Sequence, residues 1–582
     1  MPSAAVASVR QTNPTVAKAA ESGKNGSWSL SWLLLTVPKD QPGIDPMSLL
    51  QTTDQPRECP PPLDELRRQL HERLDQAIDA CQHEHLQTSF FDFEKALLPH
   101  LSTLGLLLMR LFLLVRHQRL DLAACDPEGR YRLGDEYATR DLNTSCGSLR
   151  YGRAYLILRK DKGPGFHPLD SELGLTRDSF SPLIISWFCR LSTRVSFRLA
   201  SELGGMFLCW APAPSTVEGW VLGLGRPAHV YLSTGPLPPG DGEVLVIECD
   251  GKAIPTATDE ELAKRRGQRK KEPKACKCQR HRGRCRRKSH GKKKKRKPGD
   301  KSKNGRSATL IAMYTLRRGD DGRLHGPINK KVFGTFSSRR VALTWAREQA
   351  TRRGFPADTT KTIQIILDGE ICLEQNMREL FPKAILTLDI RHAQERLWKV
   401  GRLLHGEGSK ELAAWVEPLA ALLYQGKVEE LLEQLRGISF SGPGSKAKRK
   451  THGKTINYLG KRQSLMNYGE WREQDLVLAS GVVEGAARYV IGERLDNSGM
   501  RWIVERAEAV LLLRCIEVNG DWDAFFAFSE KQRGVELRER KVVRIGTQRG
   551  RDGTQKQRQA DVDLVLPGQP VHSVQDRSAP LG

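Results

Sequence analysis

Two continuous apolar runs each end on an aspartate followed by glycine. Val244-Leu245-Val246-Ile247 leads through Glu248 and Cys249 into Asp250-Gly251, and Ile363 to Leu367 leads directly into Asp368-Gly369. A short apolar, β-branched run closed by a turn signal reads as a strand, so both aspartates are placed at strand ends. Asp-Gly alone is weak evidence, because it is common in turns. A third acidic position falls in SGVVEGAARYVIGERLDNSGMRW, which reads as a helix carrying Glu484 and Glu493. Glu484 lies at the edge of the apolar stripe Val483, Ala486, Ala487, Val490 and Ile491, a position that can lean toward a cleft. Two strand-end aspartates and one helical glutamate offer hard oxygen ligands of the kind Mg²⁺ prefers. Together they can hold two such ions about 4 Å apart, the spacing that clamps both oxygens of a phosphodiester displacement.

Four segments in order carry a likeness to a known family: ECDGK around Asp250, ILDGE around Asp368, LDIRHAQERLW at Leu388–Trp398, and SGVVEG…ERLDNSGMRW at Ser480–Trp502. The chain resembles the DDE transposases of bacterial insertion sequences, the ISKra-type group, from about Gly129 to Phe526. The last segment is the most specific. The resemblance implies a ribonuclease H-like catalytic fold, a DNA substrate and a divalent metal, Mg²⁺ or Mn²⁺, as two ions on Asp250, Asp368 and Glu484. It favours Glu484 over Glu493, because Glu484 follows SGVV. It implies cleavage at element ends, strand transfer into target DNA, and assembly as at least a homodimer on DNA. Two other readings remain: a metal nuclease of the same fold without strand transfer, and an inactive basic DNA-binding relic.

The expected fold is α/β, a ribonuclease H-like domain over 241–526 with a mixed sheet and flanking helices. Strands are predicted at Val244–Asp250, Ala308–Leu316, Lys331–Phe336, Thr362–Asp368 and Ala384–Leu388, and helices at Ser338–Arg353 and Leu373–Leu380. That succession puts Asp250 and Asp368 on neighbouring central strands. The large separations between the acids need a basic insertion at about 256–306 and a second one at about 400–475, helical and then loop-like over Ser439–Arg462. Ahead of the domain stand a disordered segment (1–60) and a helical domain (61–128). The leucine spacing from Leu63 to Ile78 and the apolar stretch Phe90–Arg119 supply that domain's helices. Over 129–240 come short strands between Tyr131 and Arg159, a helix begun by Ser179 ahead of the apolar run that Pro182 leads, then two more helices at Ser192–Phe207 and Ser215–Leu222. This helix-turn-helix-like region offers Arg190, Arg194 and Arg198 to DNA. Residues 527–582 read as a disordered tail.

Around the acids, Asp389 and His392 form D-x-x-H at a strand end. They read either as a supporting pair behind the metal ligands or as a cap on the following helix. Related transposases carry a similar Asp/Cys-x-x-His. Lys252, Arg488, Arg494 and Arg501 are candidate phosphate contacts, and Trp502 either stacks on an unpaired base or packs in the core. Cys276, Cys278, His281 and Cys285 form C-x-C-x₂-H-x₃-C, whose spacing is tighter than that of zinc-finger pairs, so zinc is not expected.

The net charge of +25 requires an acidic partner, and DNA fits. Lys264–Lys297 concentrates it, with twenty Lys or Arg against one acid. A run this dense neutralises phosphates without reading sequence. Twelve scattered cysteines make no disulfide framework. The apolar stretches Trp28–Val37 and Leu101–Val115 fall short of the roughly twenty residues that span a bilayer, so no membrane is expected. A reduced, cytoplasmic, nucleoid-associated bacterial protein is the expectation.

Overall fold

The computed structural model describes residues 62–159, 165–176, 178–208, 210–258, 261, 305–496 and 499–538, without the side chains of residues 84 and 534–538. The segment 1–60, the basic tract with its cysteine cluster, and the chain beyond 538 lie outside these residues. The chain divides into two compact units, Met1–Leu111 with Cys146–Ser148, and Phe112–Ser145 with Leu149–Gly582.

The first unit holds helix α1 (Leu63–Asp79) and most of α2 (Phe90–Gln118). α2 runs on through Arg110, so it is longer than the apolar stretch Leu101–Val115 that the sequence picks out. By length and composition alone it could cross a membrane, a test that core helices of soluble proteins also pass. Phe90, Phe91, Leu98, Leu101 and Leu108 of α2 are exposed.

The second unit begins with the paired strands β1 (Tyr131–Thr144) and β2 (Gly147–Leu158). Three helices follow, α3 (Pro182–Arg194), α4 (Phe197–Leu208) and α5 (Pro214–Thr234), the first beginning at the Pro182-led apolar run. Ser181 starts α3, its Oγ accepting from the Ile184 N–H with Pro182 at the first helical position. Arg190 and Arg194 both bind the buried carboxylate of Glu517, at 2.9 and 2.6 Å, and Arg198 pairs with Glu202 at 2.7 Å. Arg190 and Arg194 are thus tied to a buried carboxylate, whereas the Arg198–Glu202 pair is exposed and contributes about 0–1 kcal/mol.

At the centre lies a mixed five-stranded sheet of β3 (Val244–Pro255), β4 (Gly305–Arg318), β5 (Leu324–Thr335), β6 (Thr362–Leu367) and β7 (Ile385–Leu388). The order is β5-β4-β3-β6-β7. β3–β4 and β4–β5 are antiparallel, while β3–β6 and β6–β7 are parallel. This order is consistent with a ribonuclease H-like sheet. β3 and β6 are buried on both faces along their apolar runs, which is why those runs show no alternation.

Helix α6 (Arg339–Arg352) packs on β4 and β5. It is followed by α7 (Ile371–Leu380), α8 (Ile390–His405), α9 (Lys410–Tyr424), α10 (Val428–Arg436) and α11 (Ser445–Gly460). α11 stands where a loop was expected. Helix α12 (Gly481–Ala486) continues as a π-helical stretch over Ala487–Asp496, and both pack on β3. α13 (Val504–Val518) packs on α5 and β5. α14 (Trp522–Arg538) is helical through the start of the expected tail, anchored by buried Trp522 and Phe525.

Candidate metal centre

β3 and β6 keep parallel register as far as the pair Glu248 and Ile366. Two residues further along each strand come Asp250 and Asp368, side by side at one end of the sheet and on the same faces as that pair. Burial, reinforced by the nearby Asp368 charge, pushes the Asp250 carboxyl above its ordinary range, with His392 and Lys252 opposing. Asp250 Oδ1 accepts from the Gly251 N–H at 2.6 Å. Asp368 Oδ1 accepts from the Glu370 N–H at 2.9 Å, across a Gly369 with φ of 84°. A side chain at Gly369 would also collide with the Tyr458 hydroxyl, so glycine is required there twice over. Tyr458 Oη donates to the Asp368 carbonyl at 2.8 Å, and Arg462 Nε to the Gly369 carbonyl at 2.6 Å.

Two buried carboxylates fix the helix that carries Glu484. Glu248 is fully buried on β3, on the same strand face as Asp250. Its Oε2 accepts from the Val483 N–H at 2.7 Å, and its Oε1 from Tyr314 Oη at 2.7 Å. Burial outweighs these donors and pushes its carboxyl up to about 7. Asp389, also fully buried, caps α8 by accepting from the Arg391 N–H at 2.7 Å. Its other oxygen accepts from the Ser480 N–H at 3.0 Å and from Ser480 Oγ. Ser480 stands at the N-cap of α12 and Val483 lies in its first turn, so Glu248 on β3 and Asp389 at the start of α8 hold that turn from two directions.

Glu484 itself is exposed, and it accepts from Arg391 Nη1 at 3.2 Å. Exposed pairs of this kind contribute about 0–1 kcal/mol, so Glu484 can leave Arg391 for a cation at little cost. Ligand atoms of Asp389, His392 and Glu484 lie within 4.8 Å of one another. Asp389 is better described as a brace than as a ligand, because both of its oxygens already accept backbone N–H groups. His392 neighbours both Glu484 and Asp250, and so links the two ends of the cluster. Asp250 and Asp368 stand outside that group: among the described residues, the three carboxylates expected from the sequence do not all come within that distance of one another, and His392 lies between the aspartate pair and Glu484. An all-oxygen set of the three carboxylates would suit a hard divalent cation, Mg²⁺ or Mn²⁺.

The residues offered to DNA divide by exposure. Arg488 is exposed, Arg501 half-buried, and Lys252 half-buried with its Nζ against Gly492. Arg494 and Trp502 are 1% and 2% exposed, so neither reaches a nucleic acid. The Arg494 guanidinium lies 4.8 Å over the Trp502 ring, and its Nε donates to the Ser192 carbonyl at 2.8 Å. Trp502 Nε1 donates to the Leu495 carbonyl at 3.0 Å, while its backbone extends the end of β3 by pairing with Pro255 and Ala257. Trp502→Ala is therefore expected to destabilise the protein by about 3–5 kcal/mol, seen as a lower denaturation midpoint. The DNA affinity of the folded fraction should not change, and a selective loss of single-strand binding would reinstate stacking. Glu493 is exposed and lies 3.7 Å from Arg514, apart from the cluster.

Sequence reasoning missed Glu248, Tyr314, Ser480, Tyr458 and Arg462. Only Glu248 left a signal, a carboxylate inside an otherwise apolar run. No family model and no curated protein matches the chain. Among solved structures it is similar to the Drosophila P element transposase strand transfer complex. Identity is 11%, coverage is 62% of this chain and 83% of that chain, and the TM-score is 0.22. A score that low does not tie the two folds together, and the sheet order and carboxylate geometry stand without it.

Proposed function

We propose that this chain is a DDE-type transposase of a bacterial insertion sequence, related to the ISKra-type group. In this reading it cuts DNA at the element ends and joins the freed 3′-hydroxyl to target DNA. The observation that carries the reading is the parallel register of β3 and β6, which ends at Glu248 and Ile366, two residues short of Asp250 and Asp368, with the turn that carries Glu484 held by Glu248 and Asp389. Asp250, Asp368 and Glu484 would hold two Mg²⁺ or Mn²⁺ ions. When bound, such ions stabilise the charge that develops on phosphate oxygens during in-line displacement. Lys252 and Arg488 supply positive charge toward the scissile phosphate, and Glu248 and Asp389 keep the third carboxylate in place. Pairing of two element ends calls for at least a homodimer, and a DNA substrate in a bacterium places the protein in the cytoplasm.

The test is incubation of the purified protein with DNA carrying the sequences that flank its own gene, with Mg²⁺ or Mn²⁺. The expected result is a break at a fixed position leaving a 3′-hydroxyl, followed by joined products, all lost on chelation. Cutting without joining would reduce the reading to a metal nuclease. No cutting with either ion would remove it.

A further inference from the structure

Helix α11 carries a charge that its own helix does not favour. It reads SKAKRKTHGKTINYLG, and no Asp or Glu lies between Glu433 and Glu470. Lys446, Lys448, Arg449, Lys450 and Lys454 are exposed, as is Lys461 just beyond the helix. Among the described residues no ion pair joins any of these lysines to an acid. In α1, by contrast, exposed Arg68 meets both Glu65 and Glu72. Four of the cations stand in the first two turns, at the positive end of the helix dipole, where each is unfavourable by about 0.3–1 kcal/mol. Lys446 with Lys450, and Lys450 with Lys454, are like charges four residues apart, which adds repulsion.

The opposite face and the far end are tied down. Ser445, His452, Thr455 and Leu459 are buried, and His452 Nε2 lies 2.7 Å from the Leu435 carbonyl. At the C-terminal end, Tyr458 binds the backbone of Asp368, its ring lying between the guanidinium groups of Arg396 and Arg462 at 4.0 and 4.1 Å. One end of the helix therefore abuts a candidate metal ligand, and the cationic turns lead away from it. The helix is roughly 24 Å long. Phosphates on one strand follow the duplex axis at about 3.4 Å per step, so a helix of this length can meet several of them.

We propose that α11 is a DNA-backbone surface that leads a strand into the carboxylate site. The proposal rests on the transposase reading for what happens at that site, and on charge and placement for the surface itself. Backbone contact by lysines is insensitive to sequence, so α11 should add affinity for any duplex.

The test replaces Lys446, Lys448, Lys450 and Lys454 together by Gln in the full chain and measures binding to a random-sequence duplex across a salt series. With about 0.9 of slope per lost phosphate contact, the plot of log affinity against log salt should flatten by about 3.6 for the four lysines. The thermal midpoint should hold or rise, because like-charge repulsion is removed while the buried stripe is kept. An unchanged slope in a folded variant would overturn the proposal. So would an unaltered DNA slope with loss of binding to phosphatidylserine vesicles, which would assign the helix to a membrane surface. If the wild-type protein cuts no DNA but the variant's slope still flattens, the transposase reading fails and the surface stands.

Discussion

Asp250→Ala, Asp368→Ala and Glu484→Ala are each expected to lower strand cleavage by at least about a thousandfold, roughly 4 kcal/mol of transition-state stabilisation. Duplex binding should stay within a few-fold of wild type. The two effects separate because they rest on different charges. Binding draws on lysines and arginines outside the cluster, whereas cleavage needs all three carboxylates to assemble one cationic site. Removing Asp250 or Asp368 is expected to tighten ground-state binding slightly, since one of two adjacent negative charges near the phosphate is lost. Glu493→Ala is the control, because Glu493 is exposed and sits beside Arg514 rather than in the cluster. Cleavage and gel-shift assays on the same preparations read both quantities. A Glu484→Ala protein that still cuts, beside a Glu493→Ala protein that does not, would exchange the third ligand. Normal cutting by all three variants would end the two-metal reading.

The parallel strands of the sheet were legible because burial on both faces removes alternation and leaves plain apolar runs. Thr362–Leu367 and Ile385–Leu388 fall within a residue of their expected bounds. The two aspartates were legible for a related reason, since each run stops on one. α11 was not legible, because its buried stripe of Ser445, His452, Thr455 and Leu459 has helical spacing but little apolar character. Its polar members are satisfied by tertiary partners that no local pattern encodes. Burial of Trp502 and Arg494 was equally hidden, because their partners come from Leu495 and from the end of α3. α2 was legible in its bounds, since Phe90–Gln118 forms where Phe90–Arg119 was expected, but apolar composition does not say which face is covered. The brace on Glu484 was the hardest to see, since Glu248 and Val483 lie 235 residues apart.

That brace leads to the second large effect. Glu248→Ala removes the acceptor of the Val483 N–H and strands the Tyr314 hydroxyl in the core. Each buried group left unpaired costs about 1–3 kcal/mol, so a loss of roughly 3–5 kcal/mol in stability is expected. Cleavage should fall by more than stability explains, because α12 loses one of the two carboxylates that set Glu484 in place. Glu248→Gln should restore most of both. Its carboxamide oxygen can still accept from Val483, and its NH₂ can donate to the Tyr314 oxygen. The pH dependence distinguishes the two variants further. The Glu248 carboxyl is raised to about 7 by burial, so between the ordinary glutamate value near 4.5 and pH 7 the folded state binds more protons than the unfolded state. Stability from this group is therefore present at the acid end and lost as pH rises through 7. Glu248→Gln carries no such proton, so its denaturation midpoint should fall less than that of wild type from pH 5 to pH 8. Equal inactivity of the Gln and Ala variants at full stability would mean that Glu248 acts on the substrate or the metal directly. Recovery by Gln, with a flatter pH profile, would leave it as the residue that positions Glu484.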